Sequence, residues 1–349
     1  MKAYITYSTA ISPQESFESE FPWKETTEYT DKLSCIEPVY KEFFPPMKLR
    51  RMSRLVKMAL TSAKVCLTKA GIEMPDAIIT ASGWGCLNDT YKYLDEITDE
   101  NVSSPSPATF IQSTHNTPGG QIALTLGCQN YNNVIVNGNT SFEMALTDAM
   151  MLIAEGKNNI LVGGFDEIAT ADYELKKHAR YWKEEGVTSS SFLQHNSEGT
   201  LPGEGAAFVV LSSEGNESHS ALLYSGIMPC IPESKEIKEA LNTLLGKHNL
   251  DLDSIDIVLS GANGNSKIMP LYNELNTFVF SRAKIVNYKE QCGEFDTASA
   301  YALWLADSIL KTQKVPGAKE SSNAFNNILI YNYSGENKHA ITLVQKPGI

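Results

Sequence analysis

One stretch, NNVIVNGNTSFEMALTDAMMLIAEGKNNILVGGFDE at residues 132–167, decides the fold. Short apolar runs at 134–136 and 160–162 predict two buried strands. A sharp turn follows the first run, and Gly138 suits it because glycine adopts a positive φ without steric cost. The order strand, turn, helix, strand is a βαβ unit. Its turn lies at the carboxyl edge of a sheet, where open α/β proteins bind ligands.

The segment after this turn has the periodicity of an amphipathic helix. Its apolar residues recur at three- and four-residue intervals and form one face; they are Phe142, Ala145, Leu146, Ala149, Met150 and Ile153. Gly156 follows the last of them and is typical of a helix C-terminus. The turn therefore holds its side chains at a helix N-terminus.

Composition narrows the class of protein. The chain has 349 residues, 42 % hydrophobic residues and a formal charge of −12. The negative charge argues against nucleic acid and anionic membranes as main partners. No apolar run is long enough to insert into a membrane and no leader precedes the first strand, so a cytoplasmic protein is expected.

The six cysteines are scattered, without CxxC pairs, and are interpreted as reduced structural thiols: Cys35, Cys66, Cys86, Cys128, Cys230 and Cys292. No metal spacing, P-loop or dinucleotide fingerprint is present, so no cofactor is expected.

The quoted stretch resembles the nucleophile elbow of the β-ketoacyl synthases. That family reads strand, Ala-Cys-Ser-Ser-Gly, a helix with Ala-Leu, and a strand with Gly-Gly-x-Glu. Matching Ala145-Leu146 and Gly163-Gly164 places Asn139 where the family has its catalytic cysteine. The run PGEGAAFVVL at 202–211 resembles another strand of the family, as do the first strand at 2–10 and the RRMSR helix from Arg50.

The resemblance covers nearly the whole chain and implies an α/β thiolase-like fold. Such a fold has two duplicated α/β halves packed as αβαβα layers. The polar segment SSEGNESHS at 212–220 divides the predicted halves. The N-terminal half, 1–211, carries the elbow, and the C-terminal half, 221–349, repeats its element order in brief.

In the second half the resemblance assigns the positions of the family's two catalytic histidines. The first reads Asn263, with Glu274 where the family has a glutamate, and the second reads Glu294. Lys289 corresponds to the family's lysine. If Lys289 lies beside Glu294, the expected result is an ion pair.

Three further residues are assigned to the pocket by the resemblance. Cys86 occupies the glycine-rich turn after the second strand, and Tyr333 lies in a C-terminal gate at 332–335. His115 is interpreted as structural, with the alternative that it lines the pocket or a subunit interface. Cys292 is the other thiol that can approach the pocket, but a neighbouring Glu294 raises the thiol pKa, which disfavours a nucleophile.

A cluster of positive side chains begins near residue 48 in this acidic chain; its members are Lys48, Arg50, Arg51, Arg54 and Lys57. It is either a solvated helix face or a docking surface for an acidic acyl carrier protein.

The three replaced positions bear on the chemistry that the resemblance implies. Condensation needs a thiolate to hold the acyl chain, and the amide of Asn139 supplies none. Asn263 can donate to a thioester carbonyl, whereas an ionised Glu294 repels a developing enolate.

The resemblance therefore predicts a catalytically silent subunit, similar to a chain-length factor. It would pair with an active synthase, or with itself, through the strand at Asn132–Asn137 and serve an acyl carrier protein in fatty acid, polyketide or polyene synthesis. Two alternatives remain open. One is an active but atypical acyltransferase or malonyl-thioester decarboxylase, and the other is a stand-alone acyl-binding protein.

Overall fold

The computed structural model describes residues 2–348 except 20, 24, 216, 217, 219, 230–232, 318–323, 334, 336 and 337. Its strands are β1 (Ala3–Ile11), β2 (Ala77–Ser82), β3 (Tyr131–Val136), β4 (Ile160–Asp166), β5 (Gly205–Ser212), β6 (Ser220–Pro229), β7 (Ile257–Ser260), β8 (Lys284–Asn287), β9 (Asn327–Tyr333) and β10 (Lys338–Gln345). Its helices are α1 (Pro46–Leu49), α2 (Arg54–Ala70), α3 (Leu87–Thr98), α4 (Pro107–Ser113), α5 (Thr117–Leu126), α6 (Ser141–Ala154), α7 (Thr170–His178), α8 (Ser234–Gly246), α9 (Met269–Phe278), α10 (Lys289–Cys292) and α11 (Ala298–Thr312).

The strands follow one order twice. Hydrogen bonding connects them as β3-β2-β4-β5-β1-β6-β10-β9-β7-β8. If the five strands of each half are numbered in chain order, both halves have the order 3-2-4-5-1 from the outer edge of the sheet to its centre. In each half the second strand is parallel to its two neighbours and the fifth is antiparallel to the fourth. The repeat confirms the duplicated, thiolase-like α/β architecture, while the division at 211 and 221 stays a prediction.

Two helices form the central layer between the half-sheets. Helices α6 and α11 both contact strands of the first half and of the second half. Their apolar faces contribute to one buried cluster that includes strand residues from both halves, such as Val162 and Ile330. Separate clusters lie under α2 and α5 on one outer side and under α8 and α9 on the other. These five layers are the predicted αβαβα arrangement.

The helix predicted from Arg50 begins four residues later. Ser53 is the N-cap of α2, and its hydroxyl accepts a hydrogen bond from the Val56 amide. Residues 50–53 instead form a turn that separates α2 from the short helix α1. Gly71 ends α2 as predicted, with φ of +71° and its amide bonded to the last turn.

Five helices lie in segments for which the sequence pattern predicted no element: α3, α4, α7 and the four-residue helices α1 and α10. The three longer ones are poorly buried on most of their surface. No helix in the described part of the chain combines the length and the apolar character that crossing a membrane requires.

Candidate functional site

The elbow turn between β3 and α6 is held by its own side chains. Ser141 Oγ donates to the Gly138 carbonyl at 2.7 Å and accepts from the Asn137 amide at 2.7 Å. The Asn137 side chain donates to Thr140 Oγ1 at 2.8 Å. Gly138 has φ of +57°, which favours glycine. The half-buried Asn139 is left at the N-terminal end of α6, where the predicted βαβ unit places it.

An open cleft of about 700 Å³ lies at this turn. Its lining residues come from both halves of the chain and are Gly83, Trp84, His115, Val136, Asn137, Gly138, Asn139, Lys176, Tyr181, Trp182, Glu294, Phe295, Asp296 and Lys338. The cleft brings together Asn139 and Glu294, two of the three positions matched to the catalytic residues of the resembling family. His115 also lines the cleft and packs against Gly85, in agreement with the pocket alternative.

The segment carrying Glu294 is fixed by its contact with the segment before β5. The Gly203 amide donates to the Glu294 carbonyl at 2.9 Å, and the Glu294 amide donates to the Leu201 carbonyl at 2.8 Å. A Cβ atom on Gly203 would collide with the Cys292 carbonyl oxygen. Gly203 of the PGEGAA run therefore allows the segment carrying Glu294 to reach the cleft.

Lys289 and Glu294 form the expected ion pair. Lys289 Nζ lies 2.9 Å from each carboxylate oxygen of Glu294 and donates to Asn332 Oδ1 at 3.0 Å. Lys289 is 1 % exposed, so it lies beneath the cleft and does not line it. The positive charge is therefore neutralised inside the protein.

A pair of carboxyl groups that the sequence did not indicate, Asp166 and Asp296, lies beside the elbow. Asp166 at the end of β4 accepts hydrogen bonds from Ser82 Oγ, the Gly83 amide, and the amide and hydroxyl of Thr297. Burial raises the pKa of Asp166, and these four donors oppose the increase. Burial, reinforced by the charge of Asp166, raises the pKa of Asp296 to about 7.

Aromatic side chains form one wall of the cleft. Trp84 is exposed, and Tyr181 and Trp182 meet edge to face with ring centroids 5.0 Å apart. Lys176 Nζ lies 5.6 Å from both of those ring centroids and 2.9 Å from Asp172 Oδ2. The ammonium group of Lys176 is thus already engaged by a carboxylate and two rings.

Asn263, the third matched position, does not line the cleft. It is 3 % exposed, three residues after β7, and its Oδ1 accepts from the Asn265 amide at 3.1 Å. The structure therefore places two of the three matched positions in one described cavity, and Asn263 is buried outside the lining of that cavity.

Three residues assigned to the pocket by resemblance lie elsewhere, which corrects those assignments. Glu274 is exposed on α9, where it accepts from the Ser234 hydroxyl. Cys86 is fully buried in the outer core of the first half, because it begins α3 with its side chain turned into that core. Tyr333 stacks on His339 with centroids 4.6 Å apart. The adjoining gate residue Ser334 lies outside the described residues.

No thiol lines the cleft among the five cysteines that the structure describes. Cys86 and Cys292 are both fully buried, and burial is the main factor that raises the pKa of each thiol. Cys230 lies outside the described residues. Neither alternative thiol is therefore placed or activated as a nucleophile.

The predicted docking cluster loses one member. Arg54 makes paired hydrogen bonds of 2.6 Å to both oxygens of the buried Glu204 and one of 2.6 Å to Glu37. Its guanidinium is therefore a structural link between α2 and the strand β5 region. Lys48, Arg50 and Arg51 are exposed, and Lys57 is half-buried on α2.

Comparison with known proteins agrees with this architecture. No curated protein matches the chain. Among solved structures, "The ishigamide ketosynthase/chain length factor" superposes with a TM-score of 0.82 at 16 % identity, covering 99 % of each chain. A β-ketoacyl synthase from Burkholderia phymatum STM815 gives 0.80 at 14 % identity, again covering 99 % of each chain.

A third structure is AntDE:AntF, described as a type II polyketide synthase acyl carrier protein in complex with its ketosynthase bound to the hexaketide. It gives a TM-score of 0.79 at 12 % identity and covers 99 % of each chain. At these identities the structural matches show a shared fold. A family profile described as "Beta-ketoacyl synthase, N-terminal domain" matches residues 23–221, more than half of the sequence. This chain therefore belongs to the β-ketoacyl synthase family.

Proposed function

We propose that this chain is a catalytically silent, chain-length-factor-type subunit that pairs with an active β-ketoacyl synthase in the cytoplasm. The observation that carries the proposal is the position of Asn139. It occupies the elbow of a folded, open cleft, and an amide cannot form the thioester bond that condensation needs. The protein therefore has the fold of the family but lacks, at the elbow, the sulfur atom that would hold the acyl chain.

The residue at the second histidine position supports the same conclusion. Glu294 is held by Lys289, so it presents a paired carboxylate where a neutral hydrogen-bond donor would stabilise an enolate. His115 lines the cleft, but none of the described cysteines does, so the cleft offers it no thiol to activate. The decarboxylase alternative has weaker support. Asp296 and Glu294 place carboxyl groups beside the amide of Asn139, and like charges repel the carboxylate of a malonyl thioester.

The surface for a partner is the free edge of the sheet. Strand β3 is the edge strand of the first half, and among the residues that the structure describes no strand pairs with its outer peptide groups. Tyr131 and Val136 on β3 are 43 % and 39 % exposed. A partner synthase would extend the sheet here, as the interface at Asn132–Asn137 inferred from the resemblance requires.

The docking surface for the acyl carrier protein would consist of the cluster without Arg54. Lys48, Arg50, Arg51 and Lys57 surround the start of α2 in a chain whose formal charge is −12. A local positive patch of this kind attracts an acidic partner at a rate that falls with ionic strength.

Co-expression with a synthase that retains its Cys and two His residues tests the pairing. We expect a one-to-one complex in native mass spectrometry, which Val136→Asp on β3 disrupts. Val39→Asp, at another exposed valine, serves as the matched control. A stable homodimer without affinity for any such synthase would contradict the proposal. An acyl ligand retained by the isolated chain would then favour the stand-alone acyl-binding alternative.

A further inference from the structure

Two polar groups face the cleft without a protein partner. In the described part of the chain, neither the side-chain amide of Asn139 nor the carboxyl of Asp296 makes a hydrogen bond, although both line the cavity. Buried or half-buried polar groups are normally satisfied, by water or ligand if not by protein. These two groups are therefore the natural contacts for a ligand at the elbow.

Two glycines determine where the Asp296 carboxyl lies. A Cβ atom on Gly83, after β2, would overlap this carboxyl. A Cβ atom on Gly138, in the elbow turn, would lie 3.9 Å from Asp296 Oδ1. The carboxyl thus fills the space that Gly83 leaves and reaches the turn that carries Asn139.

Charged groups of both signs surround Asp296, and two of the lysines among them are already paired with other carboxylates. Asp166 faces it from β4 and Glu294 from its own segment, while Lys289 of α10 and Lys176 of α7 act in the opposite direction. Lys289 is bound to Glu294 and Lys176 to Asp172. His115 and Lys338 line the same cleft, and Lys338 already interacts with another group of the protein.

We propose that Asp296 makes this cleft selective for acyl thioesters without a carboxylate, such as a neutral β-ketoacyl group, and makes it reject malonyl-type half-acids. The proposal rests on the proposed function, and it names the ligand class of the same cleft. Asn139 donates to an acyl carbonyl, and the rings of Trp84 and Phe295 contact the carbon chain. A carboxylate in that position meets Asp296, with Asp166 behind it, and is repelled.

The repulsion depends on the protonation of Asp296. Because its pKa is raised to about 7, Asp296 is largely neutral near pH 6 and charged near pH 8. Discrimination against a carboxylate therefore increases as the pH rises across this range.

A matched pair of small thioesters tests the selectivity. Acetoacetyl- and malonyl-N-acetylcysteamine have nearly the same shape. The first ends in a methyl ketone and the second in a carboxylate, so an oxygen replaces the terminal methyl group. Calorimetric titration of the intact chain near pH 8 should show at least about tenfold tighter binding of the acetoacetyl probe. Asp296→Asn should reduce the preference to about threefold or less. Asp253→Asn, at an exposed aspartate of the second half, should leave it unchanged.

Equal binding of the two probes by the unmodified chain would overturn the proposal. So would failure of the acetoacetyl probe to bind, or an unchanged preference in Asp296→Asn. If that variant does not fold, Asp296→Ser and the pH series on the unmodified chain decide in its place. Loss of synthase pairing with selectivity intact would overturn the proposed function alone, and loss of selectivity with pairing intact would overturn this inference alone.

Discussion

Lys289 Nζ lies 2.9 Å from each carboxylate oxygen of Glu294, and the lysine side chain is wholly shielded from solvent. The resemblance matches these two residues to a lysine and a catalytic histidine of the β-ketoacyl synthases. Under that match, a closed ion pair stands where the family has a neutral imidazole donor. The pair leaves no net charge beneath the cleft.

Breaking this ion pair should destabilise the fold strongly. Lys289→Met leaves Glu294 buried without its partner, and we expect a loss of about 3–5 kcal/mol in urea unfolding. The double variant Lys289→Met, Glu294→Gln should recover much of that loss because no uncompensated charge remains. Lys267→Met removes the exposed ion pair to Glu198 and serves as the control. Equal effects of Lys289→Met and Lys267→Met would contradict the assignment.

Glu143 should make stability depend on pH. It is 1 % exposed in the first turn of α6, its Oε2 has no hydrogen-bond partner, and burial raises its pKa to about 7. Below its unfolded-state pKa both states are protonated. As the pH rises toward 7 the unfolded state ionises first, so stability is lost.

We therefore expect Glu143→Gln to be more stable than the unmodified chain near pH 8, on the order of 2–3 kcal/mol, with little difference near pH 4. Thermal unfolding across this range measures it. Glu236→Gln, at an exposed glutamate in the first turn of α8, should show no such trend. A pH-independent difference for Glu143→Gln would refute the raised pKa.

Arg54 and Arg51 should differ in what their replacement affects. Arg54→Ala leaves the buried Glu204 carboxylate without its bidentate partner and should cost about 3 kcal/mol or more in unfolding free energy. Arg51→Ala should leave stability nearly unchanged and weaken binding of an acyl carrier protein in a fluorescence anisotropy titration. An Arg54 variant of unaltered stability would argue against the structural role given to it here.

Gly203→Ala should be destabilising because its Cβ atom would collide with the backbone oxygen of Cys292, which cannot swing away as a side chain can. We expect a loss of about 3 kcal/mol or more. Gly246→Ala, at the end of α8 where nothing lies within 4 Å of the new atom, should be neutral or stabilising. Chemical unfolding of both variants measures the difference. Similar stabilities would show that the segments carrying Gly203 and Cys292 can move apart.

Restoring the thiol alone should not restore condensation. Asn139→Cys places a cysteine at the elbow, but Glu294 remains at the position matched to the family's histidine, and Asn263 is buried and does not line the cleft. Incubation with acyl and malonyl carrier proteins should give no β-ketoacyl product by mass spectrometry, even where iodoacetamide shows that the new thiol is reactive. Formation of product would mean that other groups of the cleft replace the histidines.

The sequence predicted the elements whose signals are local. The unit at 132–167 was correctly predicted because its apolar faces and its turn glycine are determined within a few residues. The helices α3 and α7 were missed because both are polar on average and bury little surface, even though α3 has an apolar face. Glu274 was assigned to the pocket by the resemblance, but α9 presents it to solvent.

Asp296 was missed for a different reason. Its importance comes from Gly83, Gly138 and Asp166, which lie more than a hundred residues away and meet it only in the folded chain. No pattern around residue 296 signals those contacts. A carboxyl pair assembled from distant segments is a property of the tertiary structure.

The two half-sheets are served by a single pair of inner helices, α6 and α11, each of which touches strands of both halves. Neither half can therefore bury its inner face unless the other is present. Cutting the chain at the polar linker would leave an unprotected apolar surface on each piece. We therefore expect the two halves to unfold together, and the cleft at the elbow, whose lining comes from both halves, to be complete only when both are folded.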